Sequence, residues 1–125
     1  MSQLIRSWSD VKGLYANKRP EMYALVEAIE SSRYVGGLYP WVSHWMLCLS
    51  QTYVEHPCGG PYLTIEPISH EVLQFRYIDT YYKHKQWSRL TKSVEAFPRL
   101  ERFFKELNWF TYYEITPMLE RKETR

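Results

Sequence analysis

A chain of 125 residues fits one domain, which at this length buries roughly two-thirds of the surface its unfolded form exposes. With 45% hydrophobic and 24% charged residues, intrinsic disorder is excluded, and a net charge of +2 excludes a strong global field toward nucleic acid or anionic membrane. No window approaches the ~20 apolar residues of a membrane span, and MSQLIRSWSD has no apolar run of signal-peptide length. The expectation is a cytoplasmic protein that keeps Cys48 and Cys58 reduced. Aromatic residues are abundant, with 5 Trp, 11 Tyr and 5 Phe, and such rings serve small cores and binding surfaces alike.

In chain order, Leu4, Trp8, Val11 and Tyr15 follow the spacing of one helical face and predict a helix over 2–15. Pro20 suits a first helical position, Glu21 the first turn, and Met22, Leu25, Val26 and Ile29 one buried side, so a second helix is expected from Pro20 to about Ser32. Gly36 and Gly37 with Tyr39-Pro40 end helical structure. Residues 43–53 alternate Trp45, Leu47 and Leu49 against His44, Met46, Cys48 and Ser50, as one strand would. HPCGGP at 56–61 is a turn by chemistry. YLTIEPI follows as a short strand ending near Pro67, and after a turn at 69–71, LQFRYIDT places Leu73, Phe75 and Tyr77 on one face.

Residues 76–92, RYIDTYYKHKQWSRLTK, gather Arg76, Lys83, Lys85, Arg89 and Lys92 against the single carboxylate Asp79. Read with period 2, a strand over 81–91 sets Tyr81, Lys83, Lys85, Trp87 and Arg89 on one face and Tyr82, His84, Gln86, Ser88 and Leu90 on the other. Neither face is dry, which predicts a sheet edge or outer face. Ser93 is a candidate N-cap for VEAFPRLERFFKELNWF, with Phe97, Leu100, Phe104 and Leu107 as its apolar stripe. Pro98 lies too far in for that cap, so the helix begins late or bends. Residues 112–125 read as a partly mobile tail. The sum is a single α+β domain: an antiparallel meander of three to five strands, with two N-terminal helices and one C-terminal helix packed on one face.

Chemistry is sparse. His44 and Cys48 on one strand would stand roughly 13 Å apart, and His56 with Cys58 lacks a second pair at zinc-finger spacing. Ser43-His44 and Cys58 with His70 have the residue types of nucleophilic catalysis without a surrounding motif, and no phosphate loop or dinucleotide fingerprint is present. The expectation is no catalysis, no metal and no cofactor. The rings and cations of 76–92 instead have the interleaving of a single-strand nucleic-acid surface, or of an interface for an acidic protein.

Trp8 ahead of a helix, then RYVGGLYPWVSHWMLCLS and GPYLTIEP, resemble a family of small bacterial proteins of unassigned activity linked to natural-product biosynthesis. The likeness rests on Leu38, Tyr39, Pro40, Ser43, His44, Leu47, Ser50, Pro61, Ile65 and Pro67 and spans roughly residues 8–110, while 76–92 carries more rings and cations than that family. In general make-up the chain is also similar to immunity proteins of bacterial polymorphic (Rhs-type) toxins. That likeness implies binding and inhibition of a cognate toxin, such as an ADP-ribosyltransferase or nuclease domain, by occluding its active site. The expected contact residues are Tyr81, Lys83, Lys85, Trp87 and Arg89, then Tyr77, Tyr82 and Trp41, with burial against the C-terminal helix an equal reading for Tyr77 and Trp87. The alternative is a nucleic-acid or small-ligand binding accessory module.

Overall fold

The structure, a computed structural model, describes residues 5–52 and 61–110. The first helix, α1 (Trp8–Tyr15), starts where Ser7 Oγ accepts the Asp10 N–H at 3.0 Å. It is therefore shorter than the 2–15 expected from periodicity, because Ile5 is held in an isolated antiparallel bridge to Val42. Val11 and Tyr15, one turn apart, are its buried residues. After a short turn, α2 (Pro20–Glu30) begins with Pro20 in its first turn and buries Met22, Leu25, Val26 and Ile29. Lys12 and Glu30 join the two helices at 2.9 Å.

The sheet has five strands, β1 (Tyr39–Ser43), β2 (Met46–Ser50), β3 (Tyr62–Pro67), β4 (Val72–Ile78) and β5 (Trp87–Lys92), antiparallel and in sequence order. The fold is thus the expected α+β meander, with α1, α2 and the later α3 (Ala96–Glu106) covering one face. That face collects Val42, Leu47, Leu49, Leu63, Ile65, Leu73, Phe75 and Tyr77, all buried in one cluster with the helices' apolar sides. Phe103 of α3 seats its ring 5.1 Å from Phe75 and 4.8 Å from Trp87. Tyr34, ahead of β1, touches Phe97, Phe104 and Phe110, and donates its hydroxyl to Glu101 at 2.9 Å.

Four local expectations are corrected. Residues 43–53 are not one strand: Ser43 pairs with Met46, and His44 (φ 52°) and Trp45 (φ 68°) form a tight two-residue turn between β1 and β2. Both sit in the left-handed region, where a residue with a Cβ costs about 1–2 kcal/mol. Tyr15 holds the turn by donating its hydroxyl to the Trp45 carbonyl at 2.9 Å. Residues 81–91 are not one strand either, because a 3-10 turn at Lys83–Lys85 precedes β5. Ser93 does not cap α3. Its N–H goes to the Glu71 carbonyl and its Oγ to the His70 carbonyl, and α3 starts at Ala96, so Pro98 falls in the first turn where its missing N–H costs nothing. Finally, α3 ends at Glu106 rather than Phe110; Asn108 and Phe110 have positive φ, and Trp109 turns back to stack on Phe104. The 56–61 turn, apart from Pro61, and the 112–125 tail lie outside the described residues.

Phe103→Ala removes the ring that joins α3 to both β4 and β5. It should lower the unfolding free energy in urea by about 3–5 kcal/mol; a loss below about 1 kcal/mol would mean that the α3 contact is not the main seam of the core.

Candidate interaction surface

At the end of β4 the chain must turn and return as β5, and Asp79 makes the turn. Its buried carboxylate accepts the N–H groups of Tyr81 (Oδ1, 3.1 Å) and Tyr82 (Oδ1, 2.9 Å) and the hydroxyl of Tyr77 (Oδ2, 3.2 Å). Its own N–H donates to Gln86 Oε1 at 2.9 Å, closing the loop at its far end. The Tyr82 N–H, chiefly, holds the Asp79 carboxyl below the usual carboxylate range; burial pulls the other way, and the Tyr77 hydroxyl, Tyr81 N–H and Lys85 charge add to the lowering. Burial, with the neighbouring Asp79 charge adding to it, pushes the Tyr77 hydroxyl up to about 12.

What this anchor presents is a tip of two rings and two lysines. Tyr81 is 78% exposed and Tyr82 56%, and Lys83, His84 and Lys85 are exposed beside them. Lys85 Nζ lies 4.8 Å from the Tyr82 ring centroid, and the His84 ring meets Tyr82 edge-on at 6.2 Å. The backbone of the tip is thus tied at both ends and its side chains prop one another.

The eight expected contact residues do not form one surface. Tyr81, Tyr82, Lys83 and Lys85 share the tip. Trp87 and Arg89 alternate along β5 on the side that faces α3: Arg89 stacks 4.3 Å above the Trp87 ring and pairs with Glu106 at 2.7 Å. They flank the tip as a half-buried ring and an exposed cation. Tyr77 is buried in the core cluster, 6.1 Å from Trp87. Trp41 lies on β1, the opposite edge of the sheet, 3% exposed and packed 5.2 Å from Tyr62. Of the remaining cations, Arg76 is on the sheet's outer face, donating to Gln74, which donates to Ser88. Sequence reasoning took Asp79 only as a lone counter-charge. The signal for its role was local: an Asp directly after an alternating strand and two residues before the first amide it binds.

β5 is the terminal strand of the sheet, as the wetness of both its faces predicted, and its exposed members Ser88, Arg89, Leu90 and Lys92 continue the surface away from the tip.

Of the two pairs with catalytic residue types, Cys58 with His70 lies partly outside the described residues, because Cys58 does. Ser43 Oγ is 3.1 Å from His44 Nδ1, where the half-buried end of β1 meets the exposed hairpin turn. Cys48 is buried, and burial pushes its thiol up to about 12, far from the thiolate a nucleophile needs. Among the described residues no group of three His, Cys, Asp or Glu side chains could hold a metal ion, and no helix is long and apolar enough to cross a membrane. Comparison with protein-family models, curated proteins and solved structures finds no match.

A carboxyl whose folded-state pKa is depressed stabilises the fold fully above its unfolded value near ~3.9 and stops doing so as pH falls through the folded value. Asp79→Ala should therefore be less stable than the parent in urea at pH 7, and the gap should narrow as pH falls through the folded value of Asp79, where the parent loses the charge. An unchanged gap would show that the carboxylate's charge does not hold the loop.

Proposed function

We propose that this protein is an immunity-type inhibitor: it binds a cognate bacterial toxin acting in the cytosol and covers that toxin's active site, without chemistry of its own. The observation that carries the reading is the Asp79-anchored tip. Two tyrosines that are largely exposed, yet rise from a backbone tied at both ends, lose little conformational freedom on docking, and rings beside cations are the side chains that dominate interface centres. The partner that fits is an acidic cleft, because the only carboxylate of 76–92 is buried beneath the tip and leaves Lys83 and Lys85 as its outward charge. The toxin itself comes from the likeness in general make-up to immunity proteins. Trp87 and Arg89 would extend the contact along β5.

Co-expression with the toxin encoded beside its gene should restore growth, and the purified pair should form a complex. Changing Tyr81, Tyr82, Lys83 and Lys85 together to alanine should weaken that complex by at least ~100-fold, equal to about 2.7 kcal/mol, with unfolding unchanged. Full protection by the quadruple variant would remove the tip as the contact surface. Failure to protect by the parent protein, together with RNA binding that falls steeply as salt rises, would replace the reading with the nucleic-acid module.

A further inference from the structure

The opposite end of the sheet carries a second constellation, independent of the inhibitor reading. There the α1–α2 connection, the β1–β2 turn and the β3–β4 turn converge, and Lys18, Arg19, Trp45 and His70 line a cavity of about 340 Å³. Each of its three basic groups is held from one side by a neighbour. Lys18 Nζ rests 5.3 Å from the centroid of the Trp45 ring, which the left-handed turn keeps 41% exposed. Glu21 serves the other two: Oε2 is 2.9 Å from His70 Nδ1, and Oε1 is 3.8 Å from Arg19 Nη1. Its side chain is only 5% exposed, and Oε1 is buried without a hydrogen bond, so this carboxylate is an inward anchor shared by a guanidinium and an imidazole rather than a surface charge.

We infer that this cavity is an oxyanion site for a phosphate group, gripped by Lys18, Arg19 and His70. The Arg19 guanidinium has a planar fork suited to two phosphate oxygens, and Lys18 supplies a point charge. With Nδ1 engaged by Glu21, His70 keeps Nε2 for the ligand; Nε2 accepts a hydrogen bond from P–OH when the ring is neutral and donates one to a phosphate oxygen when it is protonated. Glu21 touches no ligand and acts as a positioning residue. The strained His44-Trp45 turn then has a role, since it sets the ring that locates Lys18. The phosphate is carried by either a mononucleotide or a phosphorylated protein segment, because the cavity has room beyond the anion itself.

The test is an NMR titration of the full chain with inorganic phosphate at constant ionic strength, following the His70 ring and the Trp45 indole. Saturable shifts are expected, weaker with acetate and weakened at least ~10-fold in Lys18→Gln/Arg19→Gln. Glu21→Gln is the sharper variant: it adds one net positive charge, so diffuse attraction would tighten binding, whereas loss of positioning loosens it about tenfold. AMP and a phosphoserine peptide, run beside phosphate, identify the carrier by which binds tighter. Shifts that stay linear, that chloride reproduces, or that tighten in Glu21→Gln would overturn the site. Toxin protection does not enter any of these readouts, so the two readings fail separately.

Discussion

The structure depends on burying one face of a five-stranded meander under helices too short to stand alone. α1 has eight residues and α2 and α3 eleven each, lengths at which an isolated helix is marginal in water. They persist because Val11, Tyr15, Met22, Leu25, Leu100, Phe103 and Phe104 enter the same cluster as the inward rows of β2, β3 and β4. Ring-to-ring packing of Phe75, Phe103 and Trp87 extends that cluster to the last strand, whose other side faces water. The sheet can therefore offer an edge and an end loop without exposing its core.

What could be read beforehand followed from local chemistry. α2 was legible because a proline start and four apolar residues on one side say the same thing, and β3 and β4 because Leu63, Ile65, Leu73, Phe75 and Tyr77 alternate cleanly between turns. The β1–β2 turn was not legible. His44 and Trp45 lack the glycine or asparagine that usually marks such a turn, and what holds them there is a tyrosine hydroxyl thirty residues earlier in the chain. Period-2 alternation runs straight through a two-residue turn, so one strand and a hairpin look alike.

The candidate surface divided in the same way. Alternation of rings and cations suggested a strand over 81–91, whereas the Asp79 carboxylate gathers the Tyr81 and Tyr82 amides into a loop. Four of the chosen residues end up together at the tip, two lie beside it, and Tyr77 and Trp41 are consumed by packing. Their burial depends on neighbours from other strands, information that no single segment holds. The two ends of the sheet now differ in character: one carries exposed rings on a tied loop, the other basic groups around a cavity, two of them contacting a buried glutamate.

Preorganisation of the tip by one carboxylate is the claim on which the binding account rests, and amide hydrogen exchange of Tyr81 and Tyr82 in the free protein tests it most directly. Both side chains are exposed, so an unstructured loop would exchange these amides at the rate of a free peptide. The account predicts exchange slowed at least ~10-fold at both positions. Free-peptide rates at the two amides would contradict it.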